Sequence, residues 1–307
     1  LKYTILFLGD DIMNKEYFNE TIKLLCERAS CRSFLEKKIP DELLNQVISC
    51  GLHAATGGNL QPYSIIKITD DKTKERLVDE CDMQSLVKNA PANLLFCVDW
   101  RRIQRWCEAS DAPFVATKSY RHFWIAFQDT IICAQNICTA ADSIGLGSVY
   151  IGTVESCFME LKSIFNIPEG VFPVVLLSIG YPNQPLIPAP KLGIEAIVHE
   201  ESYNDLPIDT LVKLQNEKYN SKKFPLSPAN MESMKEVTFD IGGEEYSNNI
   251  IASIEKQGYI NMAQRYFGLH YKANWSCIGN NNFIEALKAY GFTWIEGEDF
   301  PILKNKN

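Results

Sequence analysis

The chain has 307 residues, 46% of them hydrophobic and 22% charged, which excludes a disordered chain, a collagen-like repeat and a small disulfide scaffold. Its 38 acidic residues outnumber its 30 basic ones, for a formal charge of -8, and this balance argues against a general nucleic-acid binder while leaving room for a local basic pocket. No apolar run approaches the roughly 20 residues that a membrane helix needs, and at this size one large or two ordinary domains can form without staples. Ile5 to Leu8 is the longest apolar run near the start, and Gly9, Asp10 and Asp11 end it. It is short for a signal-peptide core and no small-x-small site follows, so a cytoplasmic protein is expected. The ten cysteines include no Cys-x-x-Cys pair and read as reduced, buried thiols. The four histidines are scattered, and His199-Glu200-Glu201 lacks the second histidine of a zinc-protease helix, so no metal site is expected.

From residue 14 to about 180 the pattern alternates helix and strand. Asn14 can cap a helix with Phe18, Ile22, Leu25 and Cys26 on one face. The helical pattern stops at Arg28-Ala29-Ser30-Cys31-Arg32-Ser33-Phe34. Pro40 opens a second helix with Leu44, Val47, Ile48 and Gly51 inward, ending in the loop Thr56-Gly57-Gly58-Asn59. Strands are predicted at 64–69, 93–98, 148–151 and 172–179, and helices at 71–81, 120–144 and 155–165. Helix 120–144 is apolar nearly all round, so it belongs in the centre of the fold or in a subunit interface. Pro182 to Pro190 can form neither regular helix nor central strand. Beyond it, amphipathic helices are expected at about 208–219, 246–266 and 281–291, separated by polar loops such as Gly279-Asn280-Asn281-Asn282. The division expected is a core over 1–203 and an extension over 204–307 that wraps the core or a partner.

Two constellations could carry chemistry. In extended chain, Arg28, Ser30 and Arg32 project to one side, and two guanidinium forks with a hydroxyl suit a phosphate dianion. The same residues also read as two solvated arginines at a helix end. In Thr56-Gly57-Gly58-Asn59-Leu60-Gln61-Pro62 the glycines let a flat or charged ligand approach the backbone, with Asn59 and Gln61 as donors and acceptors. An ordinary turn is the alternative. Gly145-Leu146-Gly147-Ser148 is no dinucleotide fingerprint, because it lies between helix and strand, and neither a P-loop nor a Gly-x-Ser-x-Gly elbow is present.

Taken in order, these segments resemble the FMN-dependent nitroreductase family. Arg28 to Phe34 is similar to its opening Arg-x-Ser-x-Arg-x-Phe, and Ala54 to Tyr63 to its Asn-x-Gln-Pro-aromatic loop. Gly145 to Gly152 and Phe172 to Pro182 continue the likeness. Pro190 to Tyr203 and Phe283 to Phe292 look like the oxygen-insensitive NADPH-type nitroreductase and flavin reductase branch. The resemblance implies an α+β fold, with a central, mostly antiparallel sheet flanked by helices and a helical C-terminal extension. It also implies a homodimer with FMN at the interface. By that resemblance Arg28, Ser30 and Arg32 bind the FMN phosphate. Thr56, Gly57, Gly58, Asn59 and Gln61 line the ribityl chain and flavin edge, Gln84 contacts ribityl or ring, and Tyr150, Ile151, Gly152 and Thr153 cover one ring face. The branch's Lys-Pro-Arg is Ala189-Pro190-Lys191 here, so one cation is lost and Lys191 supplies a point charge in place of a fork. No counterpart of the arginines that read the NADPH 2′-phosphate is evident.

The implied activity is ping-pong electron transfer from NAD(P)H through FMN N5 to a small-molecule acceptor such as a nitroaromatic, a quinone or free flavin. Two alternatives stand beside it: a different flavin reaction, such as dehalogenation or flavin breakdown, and flavin binding without turnover. The first would need a dedicated lid, and none is evident in residues 100–120.

Overall fold

The computed structural model describes residues 16–297, so Ile5 to Leu8 and Asn14 lie outside the described residues. Two compact units are present among the described residues: 17–188 joined by 281–297, and 189–280. The sequence reading drew the boundary at 203/204. The structure draws it fifteen residues earlier and returns the last helix to the first unit.

The first unit opens with α1 (Glu20–Glu27), capped by the Asn19 side chain, which accepts the Ile22 N–H at 2.9 Å. It continues with α2 (Asp41–Leu52), β1 (Tyr63–Ile68), α3 (Asp71–Asp79), the short α4 (Leu86–Asn89) and β2 (Ala92–Asp99). Then follow α5 (Arg101–Ala109), α6 (Tyr120–Ser143), β3 (Gly147–Ile151), α7 (Phe158–Ile164) and β4 (Val171–Gly180). The four strands form one antiparallel sheet in the order β1-β2-β4-β3. β2 is buried along its whole length, as a central strand rich in apolar residues must be. Its Asn93 is satisfied there, donating to the Val87 carbonyl at 2.9 Å and accepting from Ser178 Oγ at 2.6 Å. Pro173 stands inside β4, which a proline normally disrupts. It is accommodated because the β2–β4 register shifts between Phe96 and Cys97, and β3 pairs only from Leu176 onward.

Several expectations are corrected. Helix 155–165 is a 3₁₀ turn over Gly152–Ser156 followed by α7, because the chain leaves helical geometry at Cys157 (φ -138°). Residues 101–109, given no element from the sequence, form α5. Six cysteines are buried, but Cys26, Cys50 and Cys277 are exposed; all ten are free.

The second unit holds α8 (Ile194–Ile197), α9 (Ile208–Lys218), α10 (Pro228–Gln257, broken at Gly243) and α11 (Met262–Arg265). The helix expected over 246–266 starts earlier, where Ser227 caps Pro228, and stops at Gly258 in the left-handed conformation (φ 80°). A small core of Met234, Ile254 and Ile260 holds this unit. α12 (Asn280–Ala289) belongs with the first unit from Asn281, and it begins within the stretch read as a Gly-Asn loop. Its Ala286 and Leu287, with Tyr290 and Phe292, join the sheet's core, and Tyr290 Oη donates to the Phe158 carbonyl at 2.5 Å.

Candidate functional site

After α1 the chain extends alongside β3. Ser30 bridges Ser148 in parallel sense, Cys31 N–H donates to the Ser148 carbonyl at 2.9 Å, and Leu35 N–H to the Tyr181 carbonyl at 2.9 Å. Extended backbone alternates its side chains, so Ala29 and Cys31 are buried while Ser30 and Arg32 are exposed and Arg28 is half-buried. The three candidate phosphate ligands therefore share one side, as the spacing predicts. Gly147 permits this: a Cβ there would lie 2.5 Å from Cys31 Cβ and 3.0 Å from Pro182 Cγ, so only glycine lets the segment lie this close to β3.

The Arg28 guanidinium is divided. Its Nε donates to Asp142 on α6 at 3.2 Å, while Nη2 is buried without a hydrogen-bond partner. Burial raises the Asp142 pKa, and the Arg28 charge opposes the rise. β3 then carries the chain onward. Four residues separate Ser148 from Gly152, about 13 Å at the strand rise of roughly 3.3 Å per residue. Tyr150 is half-buried, its hydroxyl donating to Gln135 on α6 at 3.4 Å, with its pKa raised by burial. Ile151 is buried, and Thr153 is half-buried in the 3₁₀ turn. Gly152 faces open space, with no atom within 4 Å of where a Cβ would stand.

The second cluster is a turn of 3₁₀ helix at Gly57–Asn59 preceded by Thr56. Gly58, Asn59 and Gln61 all have positive φ (61°, 55° and 50°), unusual for the last two. The turn is held from beneath. Asp129 on α6, only 4% exposed, accepts the Gly57 N–H with both carboxylate oxygens, at 3.2 and 3.1 Å. Burial raises the Asp129 pKa, opposed by that hydrogen bond. Arg102 Nη2 donates to the Gln61 carbonyl at 2.5 Å and the Tyr63 carbonyl at 3.2 Å, and the Gln61 side chain donates to the Leu52 carbonyl at 3.1 Å. Thr56 Oγ1 is buried without a partner. Gln84 is exposed between α3 and α4. Lys191 is exposed in the second unit.

Helix α6 thus anchors both clusters: Asp129 under the glycine turn, Gln135 on Tyr150, Asp142 on Arg28. Asp129 and Asp142 are thirteen residues apart, about 20 Å along a helix that rises roughly 1.5 Å per residue. Sequence reasoning missed Asp129, Asp142 and Arg102. The signal for the first two was there: acids within the apolar pattern of a long helix, where a carboxylate needs a buried partner.

The family profile described as "Nitroreductase family" matches residues 25–181, a span that holds β1 to β4, α6 and every candidate residue except Lys191. The chain belongs to the nitroreductase family. Among its relatives in this family, a Cr(VI) reductase of Pseudomonas sp. is 32% identical over 195 residues, covering 64% of this chain and 80% of the relative. The NADPH-flavin oxidoreductase of Vibrio harveyi is 31% identical over 193 residues, covering 63% and 78%. A solved structure from Bacteroides fragilis, 28% identical, superposes with a TM-score of 0.72 over 88% of this chain and 99% of its own. The nitroreductase A structure from Vibrio parahaemolyticus, also 28% identical, gives 0.61 over 79% and 98%. The nitroreductase-like fold anticipated from the motifs is the fold observed.

Proposed function

We propose that this protein is an FMN-dependent NAD(P)H oxidoreductase that reduces nitroaromatics, quinones or free flavin by a ping-pong reaction. The observation that carries the reading is the unpaired, buried Arg28 Nη2, set with Ser30 and Arg32 on the segment that lies along β3, the strand that leads to the open face at Gly152. A buried cationic donor without a partner is costly, and an anion that accepts from it removes the cost. Thr56 Oγ1, the second candidate with a buried unpaired polar atom, fits a hydroxyl-bearing ligand in the same way. These residues fit the phosphate and ribityl parts of FMN. Its relatives named for flavin, nitro and FMN reduction support the same cofactor.

When bound, FMN supplies the redox chemistry, taking hydride from the reduced nicotinamide and giving electrons to the acceptor. The chain's own residues place the reactants. Arg28, Ser30 and Arg32 hold the phosphate, the Asp129-braced turn of Gly57 to Asn59 holds the flavin edge, and Gly152 leaves one face free of side-chain atoms. No side chain is required as nucleophile or general base. We place the protein in the cytoplasm, in keeping with its free thiols. We also propose a homodimer. It is supported by exposed apolar side chains on α6 (Trp124, Phe127, Ile132) and by Phe18, Ile22 and Leu25 at α1, which are costly to leave in water.

The test is the visible spectrum of the purified protein, followed by anaerobic addition of NADH and then NADPH. Flavin bands that one nicotinamide bleaches and a nitroaromatic restores are the expected result, and they name the donor. A colourless protein that takes up no added FMN sinks the proposal.

A further inference from the structure

A cavity of about 510 Å³ opens where β2 ends, α5 starts and β4 begins. That volume falls among the roughly 300–1,000 Å³ of small-molecule pockets. None of the residues read as flavin ligands lines it. Four residues of α5 do, Arg101, Arg102, Arg105 and Trp106, with Asp99 and Val171 from the adjoining strands. At about 100° per residue the four fall within an arc of roughly 140°, on the side away from Ile103, the buried residue of this helix.

Helix stability does not account for the cluster. Cations are unfavourable at a helix N-terminus, yet Arg101 and Arg102 stand in the first turn of α5 and no acid accompanies them there. Arg102 is engaged, holding the Gln61 and Tyr63 carbonyls and lying 3.9 Å from Asp99. Asp99 is engaged as well, accepting from Ser64 Oγ and from the Arg102 backbone N–H at 3.0 Å. The Arg101 and Arg105 side chains are exposed and make no hydrogen bond or ion pair among the described residues. Arg76 on α3 shows the contrast, since two of its nitrogens donate to Glu80 at 2.6 and 3.1 Å. Trp106 is 63% exposed and lines the same cavity.

We propose that this pocket binds a nucleoside phosphate, with the base stacked on Trp106 and the phosphate held by Arg101 and Arg105. An indole offers its flat face to any base, and a guanidinium fork matches the oxygens of a phosphate. A long polyanion is disfavoured, because its further phosphates would meet a protein of formal charge -8. Two sources carry the favoured chemistry: a free mononucleotide, and the 2′-phosphorylated adenosine of NADPH. Arg102 both lines the pocket and holds the Gln61 carbonyl, so the pocket borders the candidate flavin turn. The NADPH source rests on the function proposed above; the pocket does not.

The experiment is calorimetric titration of the full chain, saturated with FMN so that the probes are kept from the FMN site. The probes are 5′-AMP, 2′-AMP, adenosine and inorganic phosphate. At least one nucleotide should bind about tenfold or more tightly than adenosine or inorganic phosphate. Arg101→Gln, Arg105→Gln and Trp106→Leu, all at exposed positions, should each weaken that binding by about tenfold and leave FMN affinity at the wild-type value. A preference for 2′-AMP, matched by NADP+ over NAD+, assigns the NADPH end, and 5′-AMP binding as tightly or more so assigns a free mononucleotide. The proposal is overturned if neither nucleotide binds, if the three variants leave binding unchanged, or if inorganic phosphate binds as tightly as the nucleotides. A single-stranded oligonucleotide that binds more tightly than both mononucleotides overturns the small-ligand reading. A protein that takes up no FMN is titrated as it stands. Nucleotide binding that Arg105→Gln then removes keeps the pocket and fails only the flavin reading.

Discussion

Gly147→Ala tests how the phosphate-side segment is held. A Cβ at residue 147 would sit 2.5 Å from Cys31 Cβ, 3.0 Å from Cys31 Sγ and 3.0 Å from Pro182 Cγ. Carbon atoms rest at about 3.5–4.0 Å, so the overlap is on the order of 1 Å. Relief requires the 28–34 segment to move off β3. Overpacking of this kind costs ~1–3 kcal/mol. Stretching the Cys31 N–H bond to the Ser148 carbonyl, now 2.9 Å, adds ~0.5–1.5 kcal/mol. The expected loss is ~1.5–4.5 kcal/mol, read as a lower urea midpoint at unchanged slope. Displacing Arg28, Ser30 and Arg32 together should also weaken FMN by about tenfold or more, since ~1.4 kcal/mol is a factor of ten. Fluorescence titration of FMN into the apoprotein measures that. Gly152→Ala is the counterpart. Its Cβ meets nothing within 4 Å, so stability should stay within ~0.5 kcal/mol of wild type and any effect should fall on flavin binding. A Gly147→Ala protein with wild-type midpoint and wild-type FMN affinity would refute the close-approach argument.

Asp129→Ala strips both acceptors from the Gly57 N–H and should cost ~1.5–3 kcal/mol, with Asp129→Asn, which keeps one oxygen, losing less; equal losses would show that the charge, not the hydrogen bond, matters. Arg28→Met should destabilise by leaving Asp142 buried without its cation, and adding Asp142→Asn should restore stability but not FMN affinity. If both return together, Arg28 has no ligand role. Asp129 and Asp142 have native pKa values raised by burial, so the native state holds protons that the unfolded chain releases. Their contribution is fully present below the unfolded carboxylate pKa and is lost as pH rises through the raised native values. Asp129→Asn should flatten that fall in a urea-midpoint series against pH, and an unchanged slope would count against a raised Asp129. Tyr290→Phe should cost ~0.5–1.5 kcal/mol by removing the bond to the Phe158 carbonyl, and an unaltered melting temperature would argue against α12 being anchored there.

Much of the core was legible because its signals are local. β2 reads as a strand from an unbroken apolar run, and α6 from its period and its Gly145 stop, and both fall within a residue of the expected bounds. The Arg28-Ser30-Arg32 alternation was legible for the same reason, since the strand period alone places all three on one side. α5 was illegible because its Arg101-Arg102-Ile103-Gln104-Arg105 run gives a helix with one buried residue, Ile103, and a single apolar position defines no period. The α10 boundaries were misplaced because Ser227-Pro228 and Gly258, not hydrophobic spacing, set them.

By itself, the sequence determined the family, the antiparallel sheet with its long central helix, and the alternation that sets Arg28, Ser30 and Arg32 on one side. Those follow from period, turn chemistry and motif order, which are properties of neighbouring residues. The tertiary structure decided which groups brace the site: Asp129 under Gly57, Asp142 against Arg28, and Arg102 on the Gln61 carbonyl. Each joins residues 41 to 114 positions apart in the chain. No local pattern encodes such a pairing. It arises when the sheet and α6 pack, and burial then leaves each polar group only the partner that the fold has brought within reach.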